Sequence, residues 1–591
     1  MKKSIVALAI IGLLTGCGSS GDNGSDGING VTGEAGIAGI DGQNANALLD
    51  ISMVARATLN AESPEGAAEI VAFHKASNNI FAINSSGANP TVEILSLDSI
   101  DADVLTKDSE GVINNTNLTI QTTITLNDNT AGDANSIAIN GDLLAVAMAA
   151  SETGELGNIA FYDISETTPV FIKNVVAGFL PDMVTFSPDG TKVVVANEGE
   201  PKGDYSIDPE GSISIIDIID SVPNDAATQL SLTAFNSQKN DLIAQGVVFS
   251  NPTGNTIKGN LIDTTVAMDL EPEYVAISQD SKTAFITVQE NNALITVNLD
   301  DNSMSIKGLG FKDWSDLYFD GSDKDGGINF NKYAGLYGMY QPDTVASYQW
   351  QGADFIVTAN EGDGREYFFD SADETTCLAE GGVDFDDDDG CLSYTDEIRA
   401  SKLTLGGDLA SINNDDDDIG RLKVSTVLGD SDNDGVYENL YTFGGRSFTI
   451  WDANGLVVFD SGDAVDRITA SIHGEAFNND EDENEGDTRS DAKGAEPEAL
   501  ALGQVGDRML AFVGLERMAG IMVFDVTNPY STEFVDYFIN RGVVEGADIT
   551  GDLAPEGMKF VSADDSSTGE ALLIIGNEIS GSVAVWQIAE K

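Results

Sequence analysis

Histidine is nearly missing from this chain: His74 and His473 are the only two in 591 residues. A zinc centre built on three imidazoles is therefore excluded. Any metal must be held mostly by oxygen, which favours calcium or magnesium over zinc or copper. Each histidine is read as a surface or hydrogen-bonded core residue. Positive charge is scarce too, with 29 Lys+Arg against 98 Asp+Glu and a net charge of −69. Such a field repels phosphate backbones and anionic lipid surfaces, which excludes a nucleic-acid partner, and it attracts divalent cations. Nucleophile signatures are absent: there is no Gly-x-Ser-x-Gly elbow, no Walker loop and no Cys–His pairing. Apolar residues are not lacking, and at 41% they suffice to bury a core.

Long hydrophobic runs are missing except at the start, where Ile5–Leu14 is about half the length of a membrane span. Lys2 and Lys3 precede it, and it ends in Leu14-Thr15-Gly16-Cys17, which resembles the lipobox of bacterial lipoproteins. The resemblance implies a signal peptide over 1–17 and a lipid on Cys17. Gly18 after it implies the outer membrane or cell surface, with the membrane face left open. The alternative is an ordinary secretory signal with a chance cysteine. Residues 18–46 carry a Gly-x-y run from Gly18 to Gly42 without proline, read as a flexible stalk, with a collagen-like trimeric stem as the sharper alternative. The remaining cysteines, Cys377 and Cys391, stand fourteen positions apart in an acidic loop. Export to an oxidising compartment predicts a disulfide between them.

From about Ala67 a common unit returns: Pro-[Asp/Glu], an alternating strand, a turn, a second strand and a closing Glu. Clear copies run from Pro181 to Glu198, Pro272 to Glu290, Pro342 to Glu361, Pro497 to Glu516 and Pro555 to Glu578. Looser copies lie at Glu69–Asp98, Asn135–Ile164 and Tyr441–Ser461. Repeated short antiparallel units predict an all-β chain, a β-propeller over 47–591. Counting copies favours eight blades; seven result if Tyr441–Ser461 completes its neighbour. Two β domains in tandem are the competing architecture.

In an antiparallel hairpin the start of one strand and the end of the next share an edge. The repeat should therefore deliver Asp182, Glu198, Glu273, Glu290, Asp343, Glu361, Glu498, Glu516, Glu556 and Glu578 to one channel mouth. Like charges at close range call for cations, hydrogen bonds or protonation. Arg365, Arg446, Arg489, Lys493 and Arg517 are the candidate anion or ligand contacts. A second cation signal is Asp430-Ser431-Asp432-Asn433-Asp434-Gly435, with Val436 and Glu438 as further ligands of a short calcium loop. Asp320, Asp323 and Asp325-Gly326 form a weaker echo. The acidic runs 386–389, 415–418 and 479–487 are read as solvated loops.

These stretches resemble the bacterial choice-of-anchor I proteins, related to mesenchyme-specific cell-surface glycoproteins. The matching segments are 181–201, 269–300, 341–363, 429–460, 489–529 and 552–588. The resemblance implies a propeller at the cell surface, with Cys17 as the anchor point. Some relatives carry an alkaline phosphatase label; the family's common motif Ser-Asp-Asp-Lys-Gly-Pro-Glu-Pro-Glu is met here by Ser490 to Glu498 with departures at Ala492 and Ala495. The expected function is a calcium-binding surface lipoprotein. Its membrane contact runs through the lipid alone, and its partners are divalent cations. The alternatives are a metal-dependent phosphoesterase, in which an arginine steadies the phosphoryl group, and a lactonase-type propeller.

Overall fold

The copy beginning at Pro181 shows how sequence becomes a blade. Pro181–Phe186 pairs antiparallel with Lys192–Asn197. The turn between them is set by Asp189, whose carboxylate accepts from the Ser187 hydroxyl at 2.7 Å and the Thr191 N–H at 3.0 Å, and by Gly190 at φ +70°. The second strand is apolar on both faces because neighbours cover both. Val193 and Val195 pack into one core, Val194 and Ala196 into the next. Each buried valine contributes about 1.5–3 kcal/mol.

A computed structural model describes residues 49–591 except 61–62, 88, 127–131 and 387–388. Cys17 and the 18–46 segment lie outside the described residues. Of the described residues 43% are strand and 9% helix, and Leu48–Lys591 forms one unit. Six antiparallel sheets have four strands, and a seventh has five. Their inner strands are Val71–His74, Ala134–Asn140, Pro181–Phe186, Val275–Ile277, Val345–Trp350, Pro497–Val505 and Pro555–Val561, here blades 1 to 7. Each inner strand contacts the next, and blade 7 contacts blade 1, which closes a ring. The outermost strand of blade 7 is Leu49–Thr58, paired antiparallel with Ser582–Glu590, so both ends of the described chain meet in one sheet.

The count of eight blades is corrected to seven. Tyr441–Ser461 does not stand alone: Ser447–Asp452 pairs with Ala353–Asn360, and Val457–Asp460 follows it in blade 5. Residues 361–446 are an insertion between the second and third strands of that blade. This insertion holds the Cys377–Cys391 disulfide and the Asp430 loop, and its Leu409, Ile419 and Leu422 share an apolar core with Trp314, Phe319 and Leu336 of the segment before blade 5.

Candidate functional site

The repeat's geometry begins with register. Pro181 lies opposite Asn197, Pro497 opposite Leu515 and Pro555 opposite Asn577. The acid after each proline and the Glu after each second strand are thus one step from a paired position. The residue before the proline is held in the left-handed region in four blades: Leu180 (φ 44°), Gln341 (φ 41°), Glu496 (φ 56°) and Ala554 (φ 58°). Such backbone costs on the order of 1–3 kcal/mol per residue. Its carbonyl then accepts an N–H from the far end of the hairpin: Glu198 to Leu180 at 2.9 Å, Glu516 to Glu496 at 2.8 Å, Glu578 to Ala554 at 2.8 Å and Gly362 to Gln341 at 3.1 Å. This clamp draws the two acids of a blade together. At Gly362 a Cβ would lie 1.9 Å from the Gly444 nitrogen, so glycine alone lets those backbones meet.

The acids converge on a cavity of about 260 Å³. Asp182, Glu198, Glu273, Glu290, Asp343 and Glu556 line it, joined by Glu200 and Asp363, with no lysine or arginine in its wall. Burial, then the neighbouring carboxylates, push Asp182 up to about 7 and Asp343 up to about 8. The same causes hold Glu198, Glu273, Glu498 and Glu556 well above the usual carboxylate range. Glu516 is also held well above it, and Glu578, which shares a hydrogen bond with Glu556, is raised. Glu273 is only 7% exposed, and its Oε2, like that of Glu290, is buried without a hydrogen-bond partner. Buried carboxylate oxygens without a partner are rare in folded proteins.

Two equivalent triads emerge from the ring. Glu198, Glu271 and Glu290 bring carboxylate oxygens within 4.8 Å of one another, and so do Glu361, Glu496 and Glu516. Each triad combines the closing Glu of the preceding Pro-acid hairpin, the Glu before a proline, and the closing Glu of its own hairpin. Glu271 and Glu496 were not among the expected site residues, although Glu-Pro-Glu at 271–273 and 496–498 marks both in the sequence. The triads differ in their counter-charges. Glu496, fully buried, pairs with Arg489 (2.5 Å), Arg517 (3.1 Å) and Lys493 (3.3 Å). Burial opposes its charge, but Lys493 and Arg489 outweigh that and keep its carboxyl below the usual range. Lys493 also reaches Glu361 at 2.6 Å, while Arg517 meets Glu516 at 3.3 Å and contacts Glu481. In the other triad only Glu271 has a cation, Arg365. Glu198 and Glu290 have none among the described residues.

Two expected ligand contacts are corrected. Arg365 is buried, with its guanidinium spent on Glu271, the Ser250 hydroxyl, the Tyr367 hydroxyl and the Asp269 carbonyl. Arg446 is also buried, donating to the carbonyls of Asp320, Ser490 and Ala492 and to Asp466, and stacked over Phe319. Both pin insertions to the ring and have no donor facing the mouth cavity. Arg489, Lys493 and Arg517 do sit at the rim, each already matched by carboxylates.

Away from the mouth, Asp430, Asp432 and Asp434 bring their oxygens within 4.8 Å of one another. Asp430 also accepts from the backbone N–H groups of Asp434 and Gly435, and Asp434 from that of Val436. Val436 lies in a short strand against Thr404, and Glu438 stands apart from the three aspartates with its Oε2 buried and unpartnered. His74 bonds Ser77 and Asp142; His473 bonds Tyr537, and burial pushes it down to about 4. Neither lines the mouth.

The Choice-of-anchor I domain model matches residues 69–529. Among curated relatives, Gigasin-3a of Magallana gigas is 30% identical over 186 residues, 29% of this chain and 64% of that protein. The Mesenchyme-specific cell surface glycoprotein of Strongylocentrotus purpuratus is 27% identical over 300 residues, 48% of this chain and 38% of that protein. The matched segments span less than two thirds of either relative's length. The WD40 domain of Toxoplasma gondii coronin superposes with a TM-score of 0.43 at 8% identity, covering 93% of this chain and 88% of that one. Kuenenia stuttgartiensis hydrazine synthase gives 0.42 at 12% identity, covering 89% and 97%. At these scores the fold rests on the seven-sheet ring itself. Four of the five Pro-acid hairpins lie within the matched span, and the chain belongs to the choice-of-anchor I family.

Proposed function

We propose that the propeller mouth binds a divalent cation, calcium by its all-oxygen donor set, and that the protein serves as a surface-displayed binding or structural module. The observation that carries the reading is the Glu198–Glu271–Glu290 triad: three carboxylates within 4.8 Å, one guanidinium between them, and a buried unpartnered oxygen on Glu290. Calcium takes six to eight oxygens, and Glu200, Asp182 and Glu273 stand in the same cavity wall to complete a shell with water. The Asp430 loop is a second calcium site on the same reasoning. Surface display is supported by the family and by the cell-surface glycoprotein among its relatives. Anchoring through a lipid on Cys17 belongs to the same proposal. No helix among the described residues is long and apolar enough to cross a membrane. The phosphoesterase alternative loses Arg365 and Arg446 to interior pairing, and its remaining rim cations are matched by carboxylates.

The test is thermal melting of the chelator-stripped chain with and without calcium, beside a generic phosphoester assay. Calcium at a hundred times its Kd adds about 2.7 kcal/mol to the folded state, so the reading expects a clear rise in Tm without turnover. An unchanged melting curve contradicts cation binding. Calcium-dependent turnover contradicts a purely binding role.

A further inference from the structure

The two triads come from the same stretch of the repeat, so their surroundings can be matched position by position. Lys493 stands three places before Glu496 and Arg489 seven, while Arg517 follows the closing Glu516. At the matching places around the other triad, Met268 stands three before Glu271, Thr264 seven before it, and Asn291 follows the closing Glu290. Three cations at one triad are therefore three neutral residues at the other. The neutral side chains bond groups other than the triad carboxylates. Thr264 donates to Asp208 at 2.9 Å, the Met268 sulfur accepts the Thr265 N–H at 3.4 Å, and the Asn291 amide donates to the Val248 carbonyl at 2.9 Å and to Asp269 at 3.1 Å. At the second triad the cations divide the oxygens between them. Lys493 Nζ lies 2.6 Å from Glu361 Oε1, 3.3 Å from Glu496 Oε2 and 3.7 Å from Asp363, so one ammonium touches two of the three triad members. Arg489 takes Glu496 Oε1 at 2.5 Å, and Arg517 reaches Glu496 Oε2 at 3.1 Å and the third member, Glu516, at 3.3 Å.

We propose that Lys493, aided by Arg517, stands in the second triad where the first takes its ion, and that these two side chains decide which half of the mouth is open to a divalent cation. Both triads gather three carboxylate oxygens within the same 4.8 Å, so the choice is made by charge and not by the shape of the cage. An ammonium is a compact charge with three donors, suited to bridging carboxylates as a metal ion does. A calcium ion entering this triad would have to expel it and leave it unpaired among the walls of the rim, which is strongly unfavourable. The mouth then takes its ion off centre, on the side of blades 3 and 4 that carries Glu198, Glu271 and Glu290. This rests on the cation reading of the mouth for the first triad alone.

The test gives the second triad the neutral residues of the first. K493M/R517N should bind one more calcium per chain than the unaltered protein in equilibrium dialysis, and an unchanged count overturns the assignment. The unaltered full chain supplies a second reading that does not depend on the variant folding. In its crystals grown with calcium, the anomalous map should hold no peak among Glu361, Glu496 and Glu516. A peak there overturns the assignment, because Lys493 would then not keep the ion out. A missing peak among Glu198, Glu271 and Glu290 counts instead against the cation reading of the mouth, so the two failures fall at different triads.

Discussion

At the scale of single residues, the molecule separates acids that are answered from acids that are not. Arg365 is the clearest answered case, fully buried between Asp269 and Glu271. Removing one partner of such a pair leaves an uncompensated charge, so R365M should cost about 3–5 kcal/mol in denaturant unfolding. Glu273 is the opposite case. Burial and its neighbours hold its carboxyl protonated well above the usual range, so E273Q should change the melting of the calcium-free chain little at low pH and raise it at alkaline pH, while calcium affinity by calorimetry falls about tenfold, or ~1.4 kcal/mol. Six of the ten acids expected at the mouth line the cavity, and they were legible in the sequence because the hairpin start and end share an edge; Glu361, Glu498, Glu516 and Glu578 lie outside its wall. Glu271 and Glu496 were missed: Glu-Pro-Glu marks both, but the hairpin-edge argument selects only the acid after the proline, so it takes the triad geometry to bring the preceding glutamate into the site. Arg365 and Arg446 were misread for a related reason: sequence proximity to an acid does not reveal whether a guanidinium faces inward or out.

Among elements, the hairpin clamp and the ring closure matter most. The alternating strands and their turn residues made the blades readable. Residues 361–446 hid the third strand of blade 5, because an insertion of that size between paired strands breaks the repeat's spacing, and this inflated the blade count. The closing strand was equally hidden. Leu49–Thr58 precedes the first recognisable copy, yet it covers Ser582–Glu590, where Val583 and Val585 are fully buried. A chain starting after Thr58 should expose that edge and its valines, lowering Tm by on the order of 10 °C and promoting self-association, read by melting and size exclusion. An unchanged Tm would contradict closure by this strand.

For the whole molecule, the ring is a store of repulsion that pH and cations tune. Carboxyls near 4 in the unfolded chain are raised to about 7 at Asp182 and about 8 at Asp343. The folded state therefore holds protons that the unfolded state releases. This contribution to stability is complete below about pH 4 and lost as pH rises through 4 to 8. The metal-free chain should melt progressively lower across that window, and calcium should flatten the slope while releasing protons on binding. A Tm independent of pH in the metal-free chain would contradict the acid ring. The most direct measurement is anomalous diffraction from crystals of the full chain grown in calcium. The account predicts a calcium peak among the carboxylates of Glu198, Glu271 and Glu290. An ion-free triad with its oxygens paired to one another through protons, at a pH above 8, would contradict it.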